Sequence, residues 1–322
     1  MDKLPTAHSA ETPSLRGCPV YLGAAGFAAG PAVALEQEIA DPALCAALRA
    51  PAHGAAHVPR WERDIVELVE AAVRKCLAAS GRDASDIDTV LLTSNGLDAQ
   101  NSLEATWLGQ LSKRLGLESA AHYQIGMAGC AGFHWAARLA AGLVGSGQGN
   151  HVLLISFDKA GDPLQRFYGE IGDFCYVTGD AAAACLVSNS ARDLQYRLVG
   201  QVVNVWDAGQ ILQVSADEEM RSIARLFKET YARAGISAAD VDLLIPNNYS
   251  MQVSRLYGML ADLGQAQVFT DAIASHAHCF GSDNVINLCH AQDADRIAAG
   301  QRVMLFSAGP FQWGACVLEK LH

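Results

Sequence analysis

Gly149-Asn150-His151-Val152-Leu153-Leu154-Ile155-Ser156 returns 151 residues later as Gly300-Gln301-Arg302-Val303-Met304-Leu305-Phe306-Ser307. Each copy opens on glycine and runs through an apolar stretch short enough for a buried strand. A second pair of segments repeats in the same way. Residues 62–79 place Ile65, Leu68, Val69, Ala72, Cys76 and Leu77 at amphipathic-helix spacing. Gly81, Asp86-Ile87-Asp88 and the strand-like Thr89-Val90-Leu91-Leu92-Thr93 follow. In the second half Ser215, with Glu218 three residues on, forms a capping box. Its helix continues through Met220, Ile223, Phe227 and Tyr231, and then come Gly235, Asp240-Val241-Asp242 and Leu243-Leu244-Ile245. Gly81 to Gly235 and Asp86 to Asp240 are both separated by 154 residues. Two halves that each alternate helix and strand predict a duplicated α/β unit. The expected division is a flexible N-terminus at 1–18, a first half at 19–192 and a second half at 193–322.

Composition narrows the function. The chain of 322 residues is 51% hydrophobic and 18% charged, the balance of a globular protein with a well-filled core. Its formal net charge of −11 argues against nucleic acid or an anionic membrane surface as the main partner. An acidic carrier protein would need a local basic patch to dock. Residues 1–16 lack the apolar core of a signal peptide, and no apolar run is long enough to span a bilayer, so a cytosolic location is expected. The nine cysteines include no CxxC pair and no zinc-ligand spacing. Most lie in apolar runs such as Ala181-Ala182-Ala183-Ala184-Cys185-Leu186-Val187 and read as buried, reduced thiols.

Cys130 stands apart from them. An offset of 152 sets it opposite Ser282, and each follows an irregular, glycine-containing segment. The run Ala131-Gly132-Phe133-His134-Trp135-Ala136-Ala137-Arg138-Leu139 reads as a buried helix. A thiol at the head of such a helix meets unpaired N–H groups and the positive dipole end, which favour the thiolate.

Gly129-Cys130-Ala131-Gly132-Phe133 resembles the nucleophile motif of the β-ketoacyl-acyl-carrier-protein synthase III family within the thiolase superfamily. Three further segments agree in order and spacing. Thr178-Gly179-Asp180-Ala181-Ala182-Ala183 resembles the family's Gly-Asp-Gly-Ala stretch. Pro246-Asn247-Asn248-Tyr249-Ser250 stands where the family has Pro-His-Gln-Ala-Asn. Gly309-Pro310-Phe311-Gln312-Trp313-Gly314-Ala315 resembles its glycine-rich C-terminal loop. The resemblance implies an α/β thiolase fold, five-layered αβαβα from two duplicated halves, a homodimer, and a site between the halves. It also implies Cys130 as the nucleophile taking an acyl group from coenzyme A or a carrier protein. The backbone N–H groups of Cys130 and Gly309 would form the oxyanion hole. No cofactor is implied beyond the coenzyme A or phosphopantetheine thioester that serves as substrate, and no metal.

Two members of the family's Cys, His and Asn set differ here. Asn247 occupies the His position, and Ser282, in Phe280-Gly281-Ser282-Asp283-Asn284, occupies the Asn position. Asn247 and Ser282 can donate hydrogen bonds, but neither exchanges protons near neutral pH. That loss weakens decarboxylative condensation more than acyl transfer, which needs a thiolate, an oxyanion hole and an incoming nucleophile. His278, four residues before Ser282, and Asp283, one after it, are candidate replacements for the missing base, with His276 and His290 nearby. Each reads equally as a hydrogen-bonded loop or core residue, and the apolar run around His134 marks it as a core histidine. Arg60, Trp61 and Arg63 are candidates for gripping a nucleotide or pantetheine arm, or merely decorate the first helix. The leading expectation is an acyltransferase of secondary metabolism, delivering to a small-molecule or carrier acceptor. A ketosynthase with an unusual Cys/Asn/Ser set and a silent heterodimer subunit are the alternatives.

Overall fold

A computed structural model of the chain describes residues 18–96, 105–161, 164–169, 175–192, 194–205, 215–309 and 312–322. The expected flexible N-terminus, Cys18 apart, lies outside the described residues, as do Pro310 and Phe311.

The first half contributes β1 (Tyr21–Ala29), β2 (Ala32–Ala34), α1 (Leu35–Glu38), α2 (Pro42–Arg49), β3 (His57–Pro59), α3 (Ile65–Ser80) and β4 (Thr89–Thr93). It continues with α4 (Ala105–Leu115), β5 (Ala121–Ile125), α5 (Gly132–Gly145), β6 (His151–Asp158), β7 (Phe167–Gly169), β8 (Cys175–Val177) and β9 (Ala181–Ser188). The second half contributes β10 (Tyr196–Val205), α6 (Ala216–Ala234), β11 (Leu243–Ile245), α7 (Met251–Leu260), α8 (Ile273–His276), α9 (Asp283–Asp293), β12 (Arg302–Ala308) and β13 (Gln312–Lys320). The helices begin and end where the local chemistry says they should. Asp64 caps α3, the Ser215–Glu218 capping box starts α6, and left-handed Gly81 and Gly235 close them at φ 58° and 68°.

Nine strands form one sheet in the order β11-β12-β13-β10-β1-β9-β6-β4-β5. The halves meet at the β1–β10 seam, where Tyr21 pairs with Arg197 and Leu22 with Tyr196. Strand alternation sorts the apolar side chains into layers. Leu91, Leu154, Ala183 and Cys185 turn inward with Leu243, Ile245, Val303 and Leu305, packing around α5 and α9. Their neighbours Val90, Leu92, Leu153 and Ala184 face α3 and α4. Leu244, Met304, Phe306 and Val317 face α6 and α7. The two halves of this sheet, with α5 and α9 between them and helices outside each, give the five-layered thiolase arrangement. Helix α9 is buried continuously from Asp283 to Cys289, as befits the central layer. Among the described residues no helix is long and apolar enough to cross a membrane.

The repeat holds a single offset through the site. Strands β6 and β12 begin at His151 and Arg302, and helices α5 and α9 at Gly132 and Asp283. The 3₁₀ turns heading those helices run Gly129–Ala131 and Phe280–Ser282, so all three pairs are 151 residues apart. The counterpart of Cys130 is therefore Gly281, and the pairing of Cys130 with Ser282 is corrected by one residue. A Cβ at Gly281 would approach Ser156 Oγ to 2.7 Å, so a side chain there would displace the Ser156 hydroxyl.

Candidate active site

The chain enters the Cys130 turn sharply, with Met127 and Gly129 in left-handed backbone at φ 57° and 53°. The residue is buried, and its sulfur lies 3.1 Å from Nε2 of His278, which is wholly buried. On the far side of the ring, His278 Nδ1 donates to Asp283 Oδ2 at 2.5 Å. Asp283 is also fully enclosed, and it is held by backbone donors: Cys279 N–H to Oδ1 at 2.6 Å and Asn248 N–H to Oδ2 at 2.8 Å. Thiol, imidazole and carboxylate thus form one hydrogen-bonded line, with the sulfur from the first half and the other two groups from the second. Burial alone would lower the His278 pKa. The charges of Asp283 and Cys130, and hydrogen bonds to both, overcome this and push it up to about 10.

The backbone around His278 is fixed on both sides. Its N–H donates to Val177 O at 3.0 Å, and its carbonyl accepts from Gly179 N–H at 2.9 Å. This explains the Thr178-Gly179-Asp180 segment. A Cβ on Gly179 would come within 2.6 Å of Pro59 Cδ and 2.8 Å of His276 O. Asp180 is buried and anchors the segment through both Arg166 guanidinium nitrogens, at 2.9 and 3.0 Å, and through Trp61 N–H. Ala277, next to His278, takes φ 51° and ψ −149°, ground that residues with a Cβ rarely occupy, and Phe280 sits at φ 52°.

The two residues expected to replace the family's His and Asn behave differently from that expectation. Asn247 is buried with Nδ2 aimed at Phe280 O and Asp283 Oδ2, at 3.4 and 3.5 Å, and its Oδ1 accepts from Ala308 N–H at 2.9 Å. It braces the Asp283 segment against β12. Ser282 donates to Ser156 O at 3.0 Å, a backbone carbonyl that needs a partner in the core, so its hydroxyl is withdrawn from Cys130. Gly309 is also corrected in part, because its N–H donates to Gln312 O at 2.8 Å within the β12–β13 turn. Its missing side chain still matters: a Cβ there would stand 3.1 Å from the Cys130 backbone nitrogen.

Aromatic rings close over the imidazole. Tyr249 lies 4.2 Å from His278 between ring centroids, and Tyr176 meets both rings edge-on. Tyr168 stacks on Tyr176 at 5.2 Å, and Phe280 flanks His278 at 5.3 Å. These contacts keep water from the line of polar groups.

The remaining sequence candidates lie apart from this line. Arg60 pairs with Glu38 and Glu62, Trp61 Nε1 donates to Asp64 O, and Arg63 pairs with Glu67 while covering the Trp61 ring. Arg60 ties this segment to α1, and Trp61 and Arg63 make their contacts at the start of α3. His276 and His290 pack together against Phe27, and burial lowers both pKa values, that of His276 to about 4. His134 is a core residue bonded to Asn284 Oδ1 at 2.9 Å, its pKa lowered to about 3 by burial. Two further buried residues stand outside the nominated catalytic set, Asn248 within the Pro246–Ser250 motif and Asp158 without a sequence signal. Asn248 matters through its backbone N–H and through mutual side-chain bonds with Asn287. Asp158 is buried, pushed up to about 6, and grips Ser94, Asn95 and Gly96.

Comparison with known proteins agrees with this picture. Residues 126–204 match the 3-oxoacyl-[acyl-carrier-protein (ACP)] synthase III family, and residues 231–320 match that family's C-terminal region. β-Ketoacyl-[acyl-carrier-protein] synthase III 2 of Vibrio vulnificus (strain YJ016) is 24% identical over 281 residues, covering 79% of this chain and 75% of its own. Among solved structures, the 3-oxoacyl-[acyl-carrier-protein] synthase III of Aquifex aeolicus VF5 superposes with a TM-score of 0.77 at 17% identity, over 93% of this chain and 99% of that one. The acyltransferase ChlB3 superposes with a TM-score of 0.82 at 17% identity, over 94% of this chain and 98% of its own. Matched in both halves and alike in fold, the chain belongs to the 3-oxoacyl-[acyl-carrier-protein] synthase III family, as a member whose thiol faces a His–Asp pair.

Proposed function

We propose that this protein is an acyltransferase that carries its acyl group as a thioester on Cys130. The observation that carries the reading is the buried Cys130–His278–Asp283 line. Asp283 orients the imidazole and balances its charge, and His278 holds the thiol proton, leaving a nucleophilic thiolate. The thiolate adds to the carbonyl of a coenzyme A or carrier-protein thioester. The resulting oxyanion sits near the Cys130 N–H, in the gap left by Gly309 and at the positive end of α5. Collapse breaks the donor's carbon–sulfur bond, and His278 returns a proton to the departing thiol. In the second half-reaction a small-molecule or carrier acceptor attacks the Cys130 thioester. His278 takes the acceptor's proton, and the carbon–sulfur bond breaks to regenerate the thiolate. The acyltransferase ChlB3, alike in fold, supports this class. A role in secondary metabolism remains part of the proposal.

The same geometry disfavours decarboxylative condensation. The donors expected to hold an enolate are engaged elsewhere, Asn247 by Phe280 and Asp283 and Ser282 by Ser156. An assembled triad also argues against a silent subunit. The exposed edge strand β5, with Tyr123 turned to solvent, supports the expected homodimer through pairing of two such edges.

Intact-mass spectrometry after incubation with a panel of acyl thioesters tests the reading. An adduct is expected on the parent protein and lost in Cys130→Ala. An adduct that survives this substitution refutes the assignment.

A further inference from the structure

His278 owes its place to a segment far from it in sequence. Its N–H and carbonyl bond on either side of Thr178, to Val177 O at 3.0 Å and to Gly179 N–H at 2.9 Å. Thr178 in turn gives its three polar groups to Gln165 and Arg166. Its N–H donates to Arg166 O at 2.9 Å and its hydroxyl to Gln165 O at 2.7 Å. Its carbonyl accepts from Arg166 Nη1 at 2.8 Å. The same nitrogen donates to Asp180 Oδ1 at 2.9 Å and to Pro59 O at 3.4 Å, and Nη2 donates to Asp180 Oδ2 at 3.0 Å. Nε stands 3.6 Å from Glu38 on α1. One guanidinium thus joins α1, the end of β3 and the Thr178–Asp180 segment.

We infer that Arg166 is a positioning residue for the acyl transfer, holding the Thr178 bridge so that His278 Nε2 stays against Cys130 Sγ. The planar guanidinium meets the Asp180 carboxylate with two parallel N–H bonds and still has an N–H for the Thr178 carbonyl. A lysine ammonium, a point charge on a flexible stem, would keep the charge but not this geometry. Arg166 and Thr178 also flank the paired strands β7 and β8. Those strands carry Tyr168 and Tyr176, which stack on each other, and Tyr176 meets the His278 ring edge-on. The place of the imidazole and its aromatic cover therefore depend on one grip. When that grip slackens, the bridge shifts and the Nε2–Sγ contact of 3.1 Å lengthens. The thiolate then loses a charge-assisted hydrogen bond.

This inference rests on the acyl-enzyme reading, but its test reads the thiol alone. Alkylation of Cys130 by iodoacetamide, located by peptide mass spectrometry, is followed against pH in the parent and three variants. The titratable groups against His278 (Cys130, Asp283, Tyr176 and Tyr249) are unchanged in all of them. The charges of the grip itself are Glu38, Arg60, Arg166 and Asp180. A hydrogen bond to a charged group is worth about tenfold or more in an equilibrium. The alkylation midpoint is therefore expected to rise by about one pH unit in Arg166→Lys, although the charge is kept. Thr178→Val removes the hydroxyl bond to Gln165 O, and a smaller rise is expected. Glu38→Gln alters the charge beside Arg166 and leaves its bonds to Thr178 and Asp180, so here the midpoint is expected to stay. A purely structural role would lower the melting temperature without moving the midpoint, and an unmoved midpoint in Arg166→Lys overturns the inference. Where that variant does not fold, an unmoved midpoint in Thr178→Val overturns it instead. A shift in Glu38→Gln as large as that in Arg166→Lys also overturns it, because charge and not position would then set the thiol. Absence of any acyl adduct on the parent protein would count against the acyl-enzyme reading alone.

Discussion

His278 and Asp283 are five residues apart in the chain, and their side chains meet at 2.5 Å without leaving one turn-and-helix segment. The base and its partner are therefore a local unit, set on either side of the 3₁₀ turn that heads α9 and presented together to Cys130.

Asp283→Asn is expected to lower the His278 pKa toward the ordinary imidazole range and to slow both half-reactions. General-base assistance is worth about two to four orders of magnitude, which bounds the loss. Because Nε2 of His278 touches the sulfur, acylation should fall along with transfer, as single-turnover mass spectrometry would show. Asp283→Ala should cost about 3–5 kcal/mol of stability as well, by leaving buried donors unpaired.

Malonyl thioesters are expected to acylate Cys130 without losing carbon dioxide at the rate of a condensing relative. Release of labelled carbon dioxide measures this. Turnover like that of an ordinary ketosynthase would return Asn247 and Ser282 to an enolate-binding role.

Gly309→Ala should reduce acylation by about two to three orders of magnitude, the scale of losing one oxyanion contact. The added methyl would stand 3.1 Å from the Cys130 nitrogen. Gly309 is not in the left-handed region, so any fall in melting temperature comes from this close contact and not from backbone strain.

Acid should weaken the fold through its buried neutral histidines. His134 has its folded pKa lowered from 6.5 to about 3, so the unfolded chain takes the proton first. Its contribution is present above pH 6.5 and is lost as pH falls toward 3, at up to about 1.4 kcal/mol per unit. His276, lowered to about 4, acts in the same direction, while Asp158, raised to about 6, opposes them below that pH. His134→Gln keeps a donor for Asn284 Oδ1 but does not titrate. The stability gap between parent and variant, measured by urea unfolding, should therefore shrink between pH 8 and pH 5.

The fold was legible because its signals are local and repeated. The α3 and α6 helices announce themselves by period and caps, and β6 and β12 by matching apolar runs. Cys130 was legible through its motif. His278 and Asp283 are the nearest candidates to Ser282 in sequence, with His276 and His290, six and eight residues away, in the same segment. Only tertiary placement separates a ring facing sulfur from rings packed on Phe27. The pairing of Cys130 with Ser282 failed by one residue because small residues on both sides make the local match insensitive to register. Asn248 stands within the Pro246–Ser250 motif, but its role was not legible, because its contribution to Asp283 is a backbone N–H, which every residue but proline carries.

Ala277 shows where the chain gives up some stability for aim. A residue with a Cβ at φ 51° and ψ −149° carries strain of about 1–3 kcal/mol, held in place by the bonds that pin His278 to Val177 and Gly179. Strain held in one loop is released when that loop loosens, so on warming the imidazole should leave the sulfur while the helices are still intact. The enzyme is then expected to fall silent before it melts.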